Sequence, residues 1–473
     1  MVSKELKFKM EEEEPVSPTG QYFNSSVLSV SILALFESDI PIDDSPTIDT
    51  LENLFIPVSP RFSSIMVKDE HGIQQWKRVK VKLEEHVNVP TFPPGLEYYD
   101  EYVKEYLAKI AMAPFPQSRP LWEIHIIKYP TKHAKGILVF KLHHALGDGF
   151  SLMGALFSCI KRADNPSLPL TFPSSHAKPQ EDQGSRLIST IWRSLPRAFN
   201  VGMNTILDFG WSLLKSKFIE DDKTPIRSGA PGVEFQPITI STAAFSLDSI
   251  RRIKAKLGGT VNDVITGIIF YGIQLYLHSV SKSSKCAQPT ALVLLNTRVI
   301  NNYQNLQEMT KPDAESPWGN QFGFMHVSLP SCSNDPEKGD PLDLVLKARE
   351  TIRAKRNSMA VFLTGRFLEM LRKIRGPEIT AQYIHSTLKN TSMTISNLIG
   401  PMEQMQIADH PVRSFYFMVV GVPQSLTITM VSYNGKLKVA MGTEKGFIDS
   451  ELLVSCLEKS FERIFTASGA KTG

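Results

Sequence analysis

A buried strand that runs directly into two histidines is the feature that most constrains this fold. Residues 136–142 are almost entirely apolar, which is typical of a strand covered on both faces of a sheet. His143 and His144 follow at its end. After a glycine-containing turn, residues 151–160 repeat apolar side chains at helical spacing. The pattern predicts a strand–turn–helix junction within an α/β (mixed α+β) fold whose mixed sheets are flanked by helices.

The histidine segment is suited to proton transfer. An imidazole titrates near neutral pH, so a histidine fixed at a strand end can take a proton from an alcohol as a general base. Gly147 and Gly149 are expected to adopt a positive φ or to permit a close backbone approach. Asp148 is expected to pair with a cation and hold the loop. The structural alternative is a pair of partly buried histidines that serve only packing and hydrogen bonding.

Composition excludes several classes of protein. The 473 residues include 52 basic and 48 acidic side chains, a net charge of +4 that is too balanced for an electrostatic nucleic-acid binder. The four cysteines are far apart and form no C-x-x-C pair, which argues against a zinc site or a disulfide framework and indicates a reducing compartment. The chain has no P-loop and no G-x-S-x-G element. We therefore expect no metal and no nucleic-acid partner.

Two further apolar stretches have to be assigned. Residues 264–281 are uncharged and at the lower edge of the length that spans a bilayer, but they include Gln274 and His278, so a buried core helix is favoured. Residues 187–218 are dense in large apolar side chains and interrupted by charged ones, among them Arg193 and Asp208. This second stretch is either a helix at a membrane interface or a linker packed on the domains.

Breaks rich in proline, serine and glycine divide the chain. They cover 164–185 and 221–237, and the domain boundary is placed near residue 225. Strand and helix patterns resume in the second half, and Asn434-Gly435 predicts a hairpin with a type I′ turn. The predicted organisation is a disordered tail over 1–20, an N-terminal domain with the histidines over 21–165, a linker with the apolar membrane-facing or packing segment over 166–235, and a C-terminal domain over 236–473.

Four short motifs together carry a family resemblance. The histidine segment has the form H-H-x-x-x-D-G, and Pro120-Leu121-Trp122 precedes it. Asn262-Asp263-Val264 and the segment 396–401 (SNLIGP) lie in the second half. The H-H-x-x-x-D-G segment resembles the signature of the CoA-dependent acyltransferase superfamily. The four motifs together resemble the plant-type bifunctional wax ester synthase/diacylglycerol O-acyltransferases.

This resemblance implies a fold and a reaction. The fold would be two chloramphenicol-acetyltransferase-like domains with an active-site tunnel between them. His144 would deprotonate a fatty alcohol or a diacylglycerol, which would then attack the thioester of acyl-CoA, a co-substrate rather than a permanently bound cofactor. His143 and Asp148 would complete the catalytic centre, with Asp148 in a structural role. The implied substrate-binding residues are Gly149, Asn262, Asp263, Trp122 and Asn397.

Location and partners also follow from the resemblance as expectations. The protein would act at the endoplasmic reticulum membrane, the plasma membrane or both, attached peripherally or weakly on the cytosolic face. Three residue roles stay open: Trp122 is equally a core residue, Asn262 an N-cap, and Asn397 part of a turn.

Two other functions compete with lipid ester synthesis. One is a BAHD-like transferase for a soluble alcohol or amine; Asp208-Phe209-Gly210-Trp211 resembles the D-F-G-W-G segment of those enzymes, but it lacks the final glycine and lies mid-chain. The other is a lipid-binding membrane protein that has the fold without the activity.

Overall fold

Two large mixed sheets organise the structure, and a small three-stranded sheet adjoins the first. The computed structural model describes residues 14–70, 74–173, 205, 207–281, 288–296, 318, 322–330, 335–356 and 359–470. The strands are β1 (Glu14–Pro15), β2 (Ser31–Ser38), β3 (Ser64–Lys68), β4 (Gln74–Arg78), β5 (Val87–Asn88), β6 (Trp122–Ile127), β7 (Gly136–His143), β8 (Ile160–Arg162), β9 (Ile238–Ser246), β10 (Thr290–Asn296), β11 (Phe322–Ser328), β12 (Met393–Ile399), β13 (Met405–Ile407), β14 (His410–Val420), β15 (Leu426–Tyr433) and β16 (Lys436–Glu444).

Helices cover these sheets. The labelled α-helices are α1 (Pro18–Phe23), α2 (Asp44–Thr50), α3 (Asp100–Met112), α4 (Gly149–Ser158), α5 (Leu247–Leu257), α6 (Val261–Val280), α7 (Pro341–Arg356), α8 (Ala360–Arg375), α9 (Pro377–Lys389) and α10 (Ser450–Ala467). A further helix runs over 207–217. The short helical turns are Leu51–Phe55, Ile56–Val58, Pro60–Ser63, Leu83–Glu85 and Val233–Phe235.

The predicted buried strand is β7, in the interior of the seven-stranded sheet. The strand order is β5-β6-β7-β2-β14-β13-β8, and every residue of β7 is buried. Lys141 is the one charged residue of β7, and its ammonium group donates 2.5 Å to the Ala113 carbonyl and lies 4.3 Å from the Phe115 ring centre. The strand prediction is confirmed, and His143 forms its last residue.

The six-stranded sheet has the order β11-β10-β12-β15-β16-β9. β12 runs parallel to both β10 and β15, and the other neighbours are antiparallel. Asn434 and Gly435, between β15 and β16, have φ of 44° and 73°. Positive φ at both central residues is the requirement of a type I′ turn, so the predicted hairpin is confirmed.

The two halves of the chain are joined by an exchanged segment. β14 pairs antiparallel with β2, and β13 pairs with β8, so residues 405–420 belong to the N-terminal sheet. The Tyr433 hydroxyl donates to the Val412 carbonyl at 2.6 Å and accepts from the Met405 amide at 2.9 Å. The predicted boundary near residue 225 therefore does not separate the two sheets, because hydrophobic patterning does not show which sheet a strand joins.

The predicted disordered tail over 1–20 needs correction for residues 14–20. β1 pairs with β4, and Ser17 caps α1 by accepting from the Gly20 amide at 3.2 Å. A Cβ on Gly20 would lie 3.2 Å from the Ala145 carbonyl, so α1 packs directly on the histidine segment. Residues 1–13 lie outside the described part.

Helix α6 holds the apolar stretch that was assigned to the core. By length and composition it could cross a membrane, but two thirds of it is buried within the protein. It packs against α7 and α10, and a Cβ on Gly272 would stand 2.5 Å from Leu457 Cδ2. The prediction of a buried core helix is confirmed. Of the 187–218 stretch, residues 187–204 and 206 lie outside the described residues.

Substituting Gly272→Ala tests this close approach. The methyl group has to displace Leu457, and we expect a loss of about 1–3 kcal/mol in the free energy of unfolding, measured by urea denaturation. Gly365→Ala is the matched control, because Gly365 lies in α8 with nothing within 4 Å of its Cβ position. That substitution should stabilise by about 0.5–1 kcal/mol. Equal effects of the two substitutions would contradict the assigned packing.

Candidate active site

A hydrogen-bonded turn connects β7 to α4. The Leu146 amide donates to the His143 carbonyl at 3.0 Å, and the His144 amide donates to the Val30 carbonyl at 2.9 Å. Asp148 then caps α4, accepting from the Ser151 amide at 2.9 Å. The predicted strand–turn–helix junction is confirmed, and it begins the helix at Gly149.

His143 is a fully buried, neutral side chain. Its Nδ1 accepts from the Ala145 amide at 3.1 Å, so Nε2 carries the hydrogen and donates to Ser29 Oγ at 3.1 Å. Burial, followed by the nearby His144 and Lys141, lowers the pKa of His143 to about 3. With both nitrogens engaged, His143 is suited to fix the turn that carries its neighbour, and it is poorly placed to exchange protons itself.

His144 lies one residue beyond the strand in a different environment. It is 7% exposed, and its ring packs against Phe23 with 4.6 Å between ring centres and 38° between planes. Phe23 ends α1, so the N-terminal segment forms one wall around this imidazole. This contact covers one side of the imidazole with an apolar surface.

The Leu146 carbonyl anchors the turn to distant parts of the chain. It accepts from Trp318 Nε1 at 2.7 Å and from Arg61 Nη1 at 3.3 Å. The Arg61 guanidinium also pairs with Glu14 at 2.6 Å. Sequence reasoning missed Trp318, Arg61, Phe23 and Ser29, because partners so far apart in the chain leave no local pattern.

The two glycines differ from expectation in one respect. Neither Gly147 nor Gly149 has a positive φ. A Cβ on Gly147 would lie 3.0 Å from Ser151 Cβ and 3.3 Å from Trp318 Nε1. Close approach, rather than backbone conformation, is therefore the reason for glycine at position 147.

The two motifs of the second half contact each other, and one of them also contacts the histidine segment. The Cβ position of Gly149 is 3.9 Å from the Leu398 methyl groups. Next to Leu398, Asn397 Nδ2 donates to Asn262 Oδ1 at 3.0 Å, and both asparagines are exposed. The structure thus brings Asn262 and Asn397 together, whereas Gly149 contacts Leu398, whose side chain lies on the opposite face of β12 from that of Asn397. The remaining amide groups of the asparagine pair face solvent and can reach a ligand.

Two predicted substrate-binding residues have other positions. Trp122 is fully buried, donates from Nε1 to the Phe62 carbonyl at 2.8 Å and stacks on His86 at 4.1 Å, so it is a core residue. Asp263 is buried and accepts from the Thr260 amide at 2.7 Å, which completes a capping box at the start of α6. Thr260 is the N-cap, so the alternative role of Asn262 as an N-cap is wrong.

The segment 208–211 has a structural role. It lies in the helix over 207–217, where Asp208 pairs with Lys355 at 2.5 Å and Phe209 contacts Phe367. Its similarity to the BAHD segment is therefore a coincidence of residues within a packed helix.

Replacing Trp318 by Phe tests the anchoring of the turn. Removing the indole donor should lower kcat by several-fold to about tenfold with little change in KM, because the loop next to His144 is held less firmly. Trp76→Phe is the matched control, because Trp76 is also buried and its indole nitrogen has no hydrogen-bond partner within the described residues. Equal kcat values for the two variants would contradict an anchoring role.

Acidification from pH 7 to pH 5 should destabilise the protein through buried histidines. Burial lowers the pKa of His143 to about 3 and that of His326 to about 4, both below the unfolded value of 6.5. The unfolded chain then binds more protons, so stability is complete above pH 6.5 and is lost as the pH falls towards the folded values. We expect a loss of about 2 kcal/mol per histidine at pH 5, measured by urea denaturation.

Two substitutions test the contribution of His326 to the pH dependence of the free energy of unfolding. His326→Gln should lose part of the pH dependence, and His133→Gln, at an exposed histidine, should retain it. An unchanged pH dependence in His326→Gln would refute the assignment.

Comparison with known proteins identifies the family. The model of the wax ester synthase/diacylglycerol acyltransferase catalytic domain matches residues 55–265, and that of the WS/DGAT C-terminal domain matches 318–465. Wax ester synthase/diacylglycerol acyltransferase 4 of Arabidopsis thaliana is 30% identical, over 97% of this chain and 91% of its own length.

Solved structures share the fold. The wax ester synthase/diacylglycerol acyltransferase of Marinobacter aquaeolei VT8 aligns with a TM-score of 0.59 and 17% identity, over 96% of this chain and 100% of its own. The first condensation domain of the CDA synthetase aligns with a TM-score of 0.52 and 12% identity, over 98% of each chain. The predicted two-domain architecture of mixed sheets is confirmed. The chain belongs to the wax ester synthase/diacylglycerol acyltransferase family.

Proposed function

We propose that this protein transfers a long-chain acyl group from acyl-CoA to a fatty alcohol, to diacylglycerol, or to both, with His144 as the general base. The observation that carries the proposal is the junction itself. It holds His144 directly after a buried strand, beside a neutral His143 and on a turn anchored by Trp318. Family membership supplies the substrate class.

The reaction needs one proton acceptor and a leaving group. His144 takes the hydroxyl proton as the alcohol oxygen attacks the thioester carbonyl. The carbon–sulfur bond then breaks, and the CoA thiolate leaves and recovers the proton from the imidazolium. The products are an ester and free CoA. A positioned general base contributes about 10²–10⁴-fold to such a rate.

The asparagine pair has the second role in this proposal. Asn262 and Asn397 form an exposed polar pair at the face of β12 opposite to Leu398, and Leu398 contacts Gly149 at the start of α4. We assign to their free amide groups the binding of the polar part of a substrate. The predicted tunnel between the domains would hold the acyl chain.

Partners and location belong to the same proposal. Acyl-CoA is a co-substrate, and no permanently bound cofactor is required. Fatty alcohols and diacylglycerols reside in bilayers, which supports attachment to a membrane surface. The endoplasmic reticulum membrane and the plasma membrane, on the cytosolic face where acyl-CoA is available, are the proposed locations.

Replacing His144 by Ala tests the mechanism. We expect ester formation from long-chain acyl-CoA to fall by about 10²–10⁴-fold with either acceptor, because the substitution removes the imidazole that takes the hydroxyl proton. The measurement is product formation with a fatty alcohol and, separately, with diacylglycerol.

His133→Ala is the matched control, because His133 is exposed. It should keep the wild-type rate. Undiminished turnover in His144→Ala would refute the role of His144. Lipid binding without consumption of acyl-CoA by the wild type would instead favour a non-enzymatic protein, and turnover only with a soluble acceptor would favour the BAHD-like alternative.

A further inference from the structure

The helix over 207–217 exposes an apolar stripe. Leu207, Trp211, Leu214 and the following Phe218 are 60%, 38%, 48% and 73% exposed. Their spacing of four, three and four residues places them on one side of the helix. The stripe is therefore a continuous apolar ridge on the surface of the protein.

The opposite side of the same helix is polar and points inward. Ser212 Oγ lies 3.2 Å from His326 Nδ1 in the interior, and Lys215 forms a buried ion pair with Asp221. An ordinary surface helix of a globular protein has its apolar side inward and its polar side in water. This helix has the reverse arrangement, so its exposed ridge is not a by-product of core packing.

Helix α8 presents a second apolar face beside it. Phe362, Leu363, Met370 and Ile374, with Met359 at the N-cap, are 58%, 40%, 52%, 71% and 56% exposed. At 100° per residue these five side chains lie within about 120° of one another around the helix.

The two helices are in contact. The Met359 amide donates to Thr205 Oγ1 at 3.1 Å, and the rings of Phe209 and Phe367 are 6.5 Å apart. Phe209 lies on the side of its helix opposite the ridge, so the ridge and the exposed face of α8 are adjoining surfaces. We refer to these two adjoining surfaces together as the apolar face.

Basic side chains accompany the apolar face. Arg366 and Lys373 project from the same side of α8 as Met370 and are exposed. Lys373 pairs with Glu369 at 3.0 Å, whereas Arg372 and Arg375 lie on the other side of the helix. Lys217 lies 5.5 Å from the ring centre of Phe218 on the neighbouring helix. Large apolar side chains with interspersed cations match the interface of an anionic bilayer.

We propose that the apolar face docks the protein on an anionic lipid surface. The proposal rests on the proposed function in taking that surface as the source of the acceptor lipid. A second copy of this chain is a poorer occupant, because a two-fold contact of identical faces would set Arg366 and Lys373 against the same cations.

The docking face is rigidly joined to the strand that carries Asn397. Asp221 binds Lys215 of the docking helix, and the same carboxylate accepts from the Thr290 amide at 2.7 Å and from Ser392 Oγ at 2.6 Å. Thr290 begins β10, and Ser392 directly precedes β12. Docking would therefore hold the six-stranded sheet at a defined orientation to the bilayer.

Vesicle binding by the full-length chain tests the proposal. The probes are vesicles of phosphatidylcholine alone and of an equal mixture of phosphatidylcholine and phosphatidylserine, and the measurement is co-flotation. The triple substitution Trp211→Ser, Phe362→Ser and Ile374→Ser should reduce the partition coefficient by more than about tenfold. Arg366→Gln with Lys373→Gln should remove most of the preference for phosphatidylserine, because each basic side chain near an anionic surface contributes roughly fivefold.

Matched controls lie far from this face in the sequence. Val89→Ser with Leu96→Ser replaces apolar side chains that are 47% and 49% exposed, and Lys77→Gln with Lys80→Gln replaces exposed lysines. Both pairs should bind vesicles like the wild type. Thermal unfolding of each variant, with turnover in detergent micelles, separates docking from folding and from chemistry.

Three outcomes would overturn the proposal. The first is wild-type protein that binds neither type of vesicle, and the second is a triple variant that binds as well as the wild type. The third is a wild-type protein that forms a dimer and a triple variant that is a monomer but still binds vesicles. This result would show that the apolar face joins two copies of the chain. Absence of turnover in the wild type would refute the proposed function and leave the docking result intact.

Discussion

Strand β7 lies in the interior of a seven-stranded sheet, and every one of its residues is buried. A polar group on such a strand has to find its hydrogen-bond partner within the protein. Burying it without a hydrogen bond costs about 2–7 kcal/mol. Lys141 meets this requirement with the Ala113 carbonyl, and His143 meets it as a neutral ring between the Ala145 amide and Ser29. His144 is the first residue beyond the strand, so the burial that holds His143 neutral also fixes the position of the proposed general base.

Other segments of the chain hold the turn that carries His144 in place. The turn is held from three directions by segments that are distant in sequence: α1 with Phe23, the turn around Arg61, and Trp318. The exchanged segment 405–420 then closes the N-terminal sheet with strands from the second half. Because the two halves share a sheet, Leu398 of β12 is brought next to Gly149 at the start of α4.

The helix over 207–217 shows how the linker contributes to the same architecture. Asp208, Ser212 and Lys215 contact Lys355, His326 and Asp221, and Leu207, Trp211 and Leu214 are exposed. Of the two alternatives considered for residues 187–218, packing on a domain is confirmed for the described part, and contact with a membrane stays a proposal.

Local patterns in the sequence determined the elements. The apolar run of β7, the length and composition of α6, the Asn434-Gly435 hairpin and the histidine junction were predictable, because backbone conformation and burial follow from periodicity and turn chemistry over a few residues. The tertiary structure alone decided which sheet receives β14, that residues 14–20 pack on the active-site turn, and that Trp318 binds the Leu146 carbonyl. It also decided that Trp122 and Asp263 serve the core and a helix cap, while Asn262 and Asn397 form a pair. These outcomes depend on contacts between segments up to hundreds of residues apart, and such contacts leave no periodic trace in either segment.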